Sequence, residues 1–156
     1  MVDIDEYFMN IALKEAKKAF KRGEVPVGAV IVKNNKIIAR GHNKREFMGD
    51  VTNHAELIAI RRASKKIRDW RLNGCIIYVT LFPCSMCASA IVQSRIDKII
   101  IGAPSKDLKN LKIVDMIFKD EKENYLLTIK ESVLKKECLD IIQEFFKKQR
   151  KFVKIK

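Results

Sequence analysis

Histidine is scarce in this sequence: the 156 residues include two histidines, one tryptophan, three prolines, six glycines and four cysteines. Each shortage closes off a class of protein. So few prolines and glycines exclude a collagen-like or Pro/Gly-rich low-complexity chain, and no fixed-period repeat signals a solenoid. Four cysteines make a poor disulfide framework for a chain of this length, so they are expected as thiols or metal ligands in a reducing compartment. No apolar run approaches the ~20 residues that span a bilayer. The opening "MVDIDEYFMN" is acidic where a signal peptide starts basic and turns apolar. The expectation is a cytoplasmic protein without a membrane partner, one domain over residues 1–156 with a core of its own.

Acidic residues are also outnumbered. Lysine and arginine total 32 against 19 aspartates and glutamates, for a net charge of +13 and a pI near 9.7. Such an excess favours association with a polyanion, although a lysine-rich solvated surface can carry it without one. The final stretch, "FFKKQRKFVKIK", gathers Lys147, Lys148, Arg150, Lys151, Lys154 and Lys156 around aromatics, as the end of a nucleic-acid-facing helix does.

Periodicity gives the elements. Ile4, Phe8, Ile11, Ala12, Ala16, Ala19 and Phe20 recur at helical spacing from Asp3 to Arg22, and Gly23 stops the helix. "VGAVIVK" and "KIIAR" flank Asn34–Asn35, a turn pair that tolerates positive φ, and predict a hairpin. A polar loop over His42–Thr52 leads to a helix from about Asn53 to Ile67, with Asn53 as N-cap and Glu56 three residues on. "CIIYVT" and "DKIII" read as buried strands. "PCSMCASAIVQS" reads as a helix opened by Pro83, "LKIVDMIF" as a short helix, and "YLLTIK" as a strand. Leu134, Cys138, Ile141, Ile142, Phe145 and Phe146 line one face of a basic C-terminal helix over about 133–152. The order predicts an α/β fold with a mixed five-stranded sheet covered by helices on both faces.

The scarce histidines and cysteines fall in two places, "NHAEL" and "FPCSMC". Each opens a predicted helix, where the macrodipole favours thiolate, and C-x-x-C spacing lets Cys84 and Cys87 reach one ion. His54 makes three ligands. A zinc site with three protein ligands keeps its fourth position for water, the layout of a catalytic site. Glu56, two residues after His54, stays unligated beside that water as a general acid and base. A lone C-x-x-C or a lone histidine means little, but H-x-E followed by P-C-x-x-C is the signature of zinc nucleobase deaminases. Cys75 and Cys138 read as core residues. His42 has no partner at ligand spacing and reads as structural or near the substrate.

The run "EVPVGAVIVKNNKIIARGHN", the "NHAE" box, "DWRLNGCIIYVTLFPCSMCASAIVQSRI" and the terminal "FFKKQRK" together resemble the bacterial tRNA-specific adenosine deaminase family, from Glu24 to about Lys151. Met86 and the paired phenylalanines before the basic tail are similar to the tRNA enzymes rather than to relatives acting on free nucleotides. The resemblance implies a cytidine deaminase-like three-layer sandwich, one zinc per chain on His54, Cys84 and Cys87, and Glu56 as proton shuttle. It also implies that Asn43 hydrogen-bonds the flipped nucleoside, that Ala55 offers its backbone to the base edge, and that Val27 and Phe145 line the pocket. Lys147, Lys148, Arg150 and Lys151 would bind RNA, with a tRNA anticodon stem-loop as partner and a homodimer as the assembly. Two positions depart from the family: Phe82 replaces the usual glutamate before Pro83, and "PSKDLKNLK" replaces an acidic, glycine-rich turn after Ala103. The expected activity is hydrolytic deamination of adenosine to inosine at the tRNA wobble position, with release of ammonia. Its rivals are the same chemistry on cytosine, guanine or deoxycytidylate, and a catalytically silent RNA-binding subunit. The unligated Glu56 counts against the silent subunit, because a structural zinc has no use for it.

Overall fold

The computed structural model describes residues 2–120 and 125–155. Lys156 and the side chains of residues 152–155, including Lys154 of the basic tail, lie outside what is described, as do residues 121–124 before the last strand. Helix α1 spans Ile4–Lys21, and the Asp3 carboxylate caps it by accepting the N–H groups of Asp5 and Glu6 at 2.8 and 3.2 Å. Strands β1 (Gly28–Lys33) and β2 (Lys36–His42) form the hairpin, with Asn34 and Asn35 at φ of 50° and 59°. Helices α2 (Arg45–Met48) and α3 (Ala55–Ile67) precede β3 (Cys75–Leu81). Then follow α4 (Ser85–Gln93), β4 (Lys98–Ala103), α5 (Leu108–Lys119), β5 (Thr128–Lys130) and α6 (Lys135–Ile155).

The sheet runs β2-β1-β3-β4-β5, with β1 antiparallel to β2 and β3, and with β3, β4 and β5 parallel. Alternate side chains go to opposite faces. Ala29, Ile31, Ile77, Val79, Ile99 and Ile101 pack with Ala55, Ala59 and Ala63 of α3 and Ile91 of α4. Val30, Val32, Tyr78 and Ile100 pack with Phe8, Met9 and Ala12 of α1 and Cys138 of α6. Both faces are buried, which is why the central strands are continuous apolar runs rather than alternating ones.

Two glycines set how closely the helices approach. A Cβ on Gly28 would lie 1.9 Å from the carbonyl oxygen of Ala12, so α1 rests directly on β1. One on Gly41 would lie 2.5 Å from the carbonyl oxygen of Ala55, so β2 meets α3 at the helix start that carries His54.

Several boundaries differ from the sequence expectation. The cap of α3 is His54, and Asn53 instead accepts a hydrogen bond from Arg61 Nη2 at 3.0 Å. Pro83 lies one residue before the α4 cap, Cys84. The loop after His42 contains the short α2, closed by Gly49 in the left-handed region. The "YLLTIK" strand shrinks to three exposed edge residues, because only β4 borders it. No helix among the described residues is long and apolar enough to cross a membrane.

Candidate active site

His54 and Cys84 occupy equivalent positions, the N-caps of α3 and α4, both with extended backbone. An N-cap is usually a Ser, Thr, Asp or Asn whose side chain turns back onto the helix N–H groups. Neither His54 nor Cys84 makes such a bond, so both side chains are free to face each other across the gap between the helix starts. Cys87 joins them from the first turn of α4. His54 Nδ1 lies 3.6 Å from Cys84 Sγ and 3.5 Å from Cys87 Sγ, and all three donor atoms lie within 4.8 Å of one another.

The donors fit zinc. Bonds of about 2.3 Å to sulfur and about 2.05 Å to nitrogen at a tetrahedral angle separate the two atoms by about 3.6 Å, with soft thiolates and an imidazole as the preferred ligand set. Charge agrees with geometry. Cys84 is drawn down to about 4, first by a hydrogen bond from the Cys87 thiol and then by His54, against the opposing effect of burial. Cys87 is pushed up, first by Cys84 and then by burial. Two thiols this close keep a single negative charge between them, and a divalent cation lets both ionise.

These residues open into a cavity of about 160 Å³ lined by Val25, Val27, Asn43, Arg45, His54, Ala55, Glu56, Leu81, Phe82 and Cys84. Glu56 is buried in its wall, and burial raises its carboxyl above the usual range. Asn43 is held from both ends of its amide: Nδ2 donates to the carbonyl of Val25 at 3.3 Å and Oδ1 accepts the N–H of Arg45 at 3.1 Å. Each end keeps hydrogen-bonding capacity for a ligand. Ala55 is the first residue of α3, and the first N–H groups of a helix have no partner within it.

The structure thus brings together Glu56, His54, Cys84, Cys87, Asn43, Ala55 and Val27. It leaves Phe145 out: that ring is buried against Phe20 of α1, centroids 6.0 Å apart, on the face of α6 that packs on α1. Its neighbour Phe146 meets that ring edge-on, centroids 5.4 Å apart, and is itself exposed. With Arg150, Lys106, Asn110 and Gln143 it lines an open groove of about 660 Å³ that shares Leu81, Phe82 and Cys84 with the cavity. Lys147, Lys148, Arg150 and Lys151 are exposed on α6, where Lys148 Nζ sits 4.8 Å over the Phe20 ring and 3.7 Å from Glu144. His42 is not in the cavity; its Nδ1 lies 3.4 Å from Glu15 Oε2 beneath the sheet edge. Sequence reasoning missed Val25, Arg45 and Leu81. The only available signal was adjacency, since each is within two residues of a position already singled out.

The model of the cytidine and deoxycytidylate deaminase zinc-binding region matches residues 2–103. Over 146 residues the chain is 44% identical to the tRNA-specific adenosine deaminase of Buchnera aphidicola subsp. Schizaphis graminum, covering 94% of this chain and 96% of that one. It is 44% identical over 153 residues to the protein of the same name from Bacillus subtilis, covering 94% and 91%. A solved structure from a study of A-to-I editing by tRNA:A34 deaminases at the wobble position of transfer RNA superposes with a TM-score of 0.78 at 37% identity, over 86% of this chain and 98% of that one.

Proposed function

The chain belongs to the tRNA-specific adenosine deaminases, within the cytidine and deoxycytidylate deaminase zinc-binding family, and from that premise we propose that it converts adenosine to inosine at the wobble position of a tRNA anticodon. The observation that carries the proposal is the convergence of three metal donors and a free carboxylate, Glu56, on one cavity. His54 Nδ1 and the sulfurs of Cys84 and Cys87 would hold a zinc ion, which when bound would supply the Lewis acidity that lets water act as a nucleophile near neutral pH. Glu56 accepts the first proton that water gives up and delivers it to N1 of the purine as oxygen adds at C6. It then moves the second proton to the exocyclic nitrogen. The C6–N bond breaks, ammonia leaves, and inosine remains. Asn43 hydrogen-bonds the nucleoside, the Ala55 N–H meets the base edge, and Val27 with Leu81 and Phe82 supplies apolar walls that exclude bulk water.

A duplex hides adenine C6, so the substrate is a loop whose base can be extruded. Lys147, Lys148, Arg150 and Lys151 hold the RNA backbone beside the groove, and the enzyme acts in the cytoplasm as a homodimer with one zinc per chain. Incubating the purified protein with tRNA and digesting the product for mass spectrometry tests this reading: inosine at the wobble position is expected. Intact adenosine in tRNA, together with turnover of free guanine, cytosine or deoxycytidylate, would transfer the activity to a small molecule.

A further inference from the structure

Glu24 has no part in the chemistry above, yet at 2% exposure it is as deeply buried as Glu56 at 3%. A buried carboxylate is costly unless its oxygens are hydrogen-bonded. Both oxygens of Glu24 are taken by backbone: Oε1 accepts the N–H of Glu46 at 3.0 Å and Oε2 that of Phe47 at 2.8 Å. These are N–H groups of the first turn of α2, which any helix start leaves unpaired, and the local cap residue, Lys44, supplies no side-chain bond to them. Glu24 therefore caps α2 from 22 residues away in sequence.

The same two strips of chain are stitched twice more. Asn43 Nδ2 donates to the Val25 carbonyl at 3.3 Å, and the Asn43 N–H donates to the Val27 carbonyl at 3.2 Å. The Arg45 N–H closes the loop onto Asn43 Oδ1 at 3.1 Å. Four cavity residues, Val25, Val27, Asn43 and Arg45, belong to this stitched unit. Glu24 supplies it with a charged acceptor, and hydrogen bonds to a charged group are roughly twice as strong as neutral ones.

We propose that Glu24 is a positioning residue: by pinning the first turn of α2 to the Val25–Val27 strip, it fixes Asn43 and Arg45 against the nucleoside without touching it. This rests on the cavity being the nucleoside site. A carboxylate that merely stabilised a surface turn would affect folding without coupling to Asn43.

The test uses the full-length, zinc-loaded protein and the near-isosteric Glu24→Gln, which replaces one acceptor oxygen with an amide that faces a backbone N–H. Hydrogen exchange without substrate should speed up at the amides of Glu46 and Phe47; unchanged exchange overturns the proposal. On an anticodon stem-loop, Glu24→Gln should lower kcat/KM by on the order of 10- to 100-fold, the scale of a misplaced binding group. In an Asn43→Ala background the same change should cost no more than about 2-fold, because the two act as one unit. Fully additive losses, or loss of zinc in Glu24→Gln, overturn it. Should Glu24→Gln fail to fold, Glu24→Asp, which keeps the charge, carries the same cycle; failure of both to fold makes Glu24 a residue of the fold and overturns the proposal. If the unaltered protein makes no inosine, the substrate reading falls on its own, and the exchange measurement still decides whether Glu24 pins the turn.

Discussion

The cavity and the groove beside it are built on different physics. On one side, α3 and α4 stand on the central strands and deliver His54, Glu56, Cys84 and Cys87 from helix starts whose positions are set by buried contacts and by the close approach at Gly41. On the other, much of the chain after Ala103 is exposed, although Cys138 and Phe145 of α6 are buried. Helix α5 buries only Val114, β5 is exposed along its three residues, and the end of α6 presents lysines and an arginine to solvent. Proton transfer and metal binding tolerate little displacement, so the chemistry sits where packing fixes side chains. Attraction of a polyanion requires charge at roughly the right place, which long flexible side chains on an exposed helix provide. Changes on the first side should therefore be all-or-none, and changes on the second graded and sensitive to salt.

The largest effect is expected from Cys84→Ala or Cys87→Ala, each of which removes one of three donors. Zinc content by elemental analysis should fall from about one per chain toward zero, with turnover lost along with it. Full zinc in either variant would overturn the ligand assignment. Glu56→Ala comes next. It should keep zinc and its unfolding midpoint but lose at least about 100-fold in kcat, the usual contribution of a general acid and base. Activity retained by that variant removes Glu56 from the mechanism.

Charge reversal at Lys147, Lys148 and Arg150 tests the other side of the comparison. RNA affinity should drop and its dependence on salt should flatten, by about 0.7 to 0.9 in the log–log slope for each phosphate no longer neutralised. Any turnover of a free nucleoside should be untouched. Loss of that turnover as well would mean that the basic helix shapes the cavity, and the contrast between the two sides would break down.

The same contrast explains what was readable in the sequence. The convergence of His54, Cys84, Cys87 and Glu56 was legible because zinc chemistry demands particular residue types at short spacings, and because each motif sits at a helix start that local signals reveal. The hairpin was legible from Asn34–Asn35, whose positive φ few other residues accept. The start of α3 was misplaced by one residue and that of α4 by two because His54 and Cys84 are poor cap formers, put there for their side chains rather than for helix stability. Strand β5 was overextended because "YLLTIK" has the composition of a buried strand while the fold leaves it at an edge. Phe145 and Phe146 could not be told apart by periodicity: both lie near the apolar stripe of α6, and only the position of Phe20 on α1 decides which ring is buried. Arg45 and the capping by Glu24 depend on contacts between segments 22 and 23 residues apart, which no local pattern encodes.

The smallest expected effect concerns stability in acid, and it belongs to the well-packed side. Glu15 of α1 is buried, with Oε2 3.4 Å from His42 Nδ1 of β2 and 3.0 Å from Lys18 Nζ. Its carboxyl is lowered from 4.5 to about 2, chiefly by His42 and also by Lys18, against a burial effect that alone would raise it. A depressed folded-state value means that the unfolded chain takes up the proton first. The stabilisation from Glu15 is thus fully present above about pH 4.5 and is lost as pH falls toward about 2. The zinc donors also protonate in acid, so the loss of stability in the unaltered protein alone does not isolate Glu15. The difference between that protein and Glu15→Gln does, because the metal site is common to both. The gap between their urea midpoints should be widest near neutral pH and should narrow steadily between about pH 5 and pH 3. Over the same range the salt dependence of RNA binding should be the same for both proteins, since Glu15 lies on the packed side and not among the basic residues of α6. A gap that holds constant with pH would mean that Glu15 contributes through packing rather than charge, and a change in the salt dependence would tie the acid response to the exposed side instead.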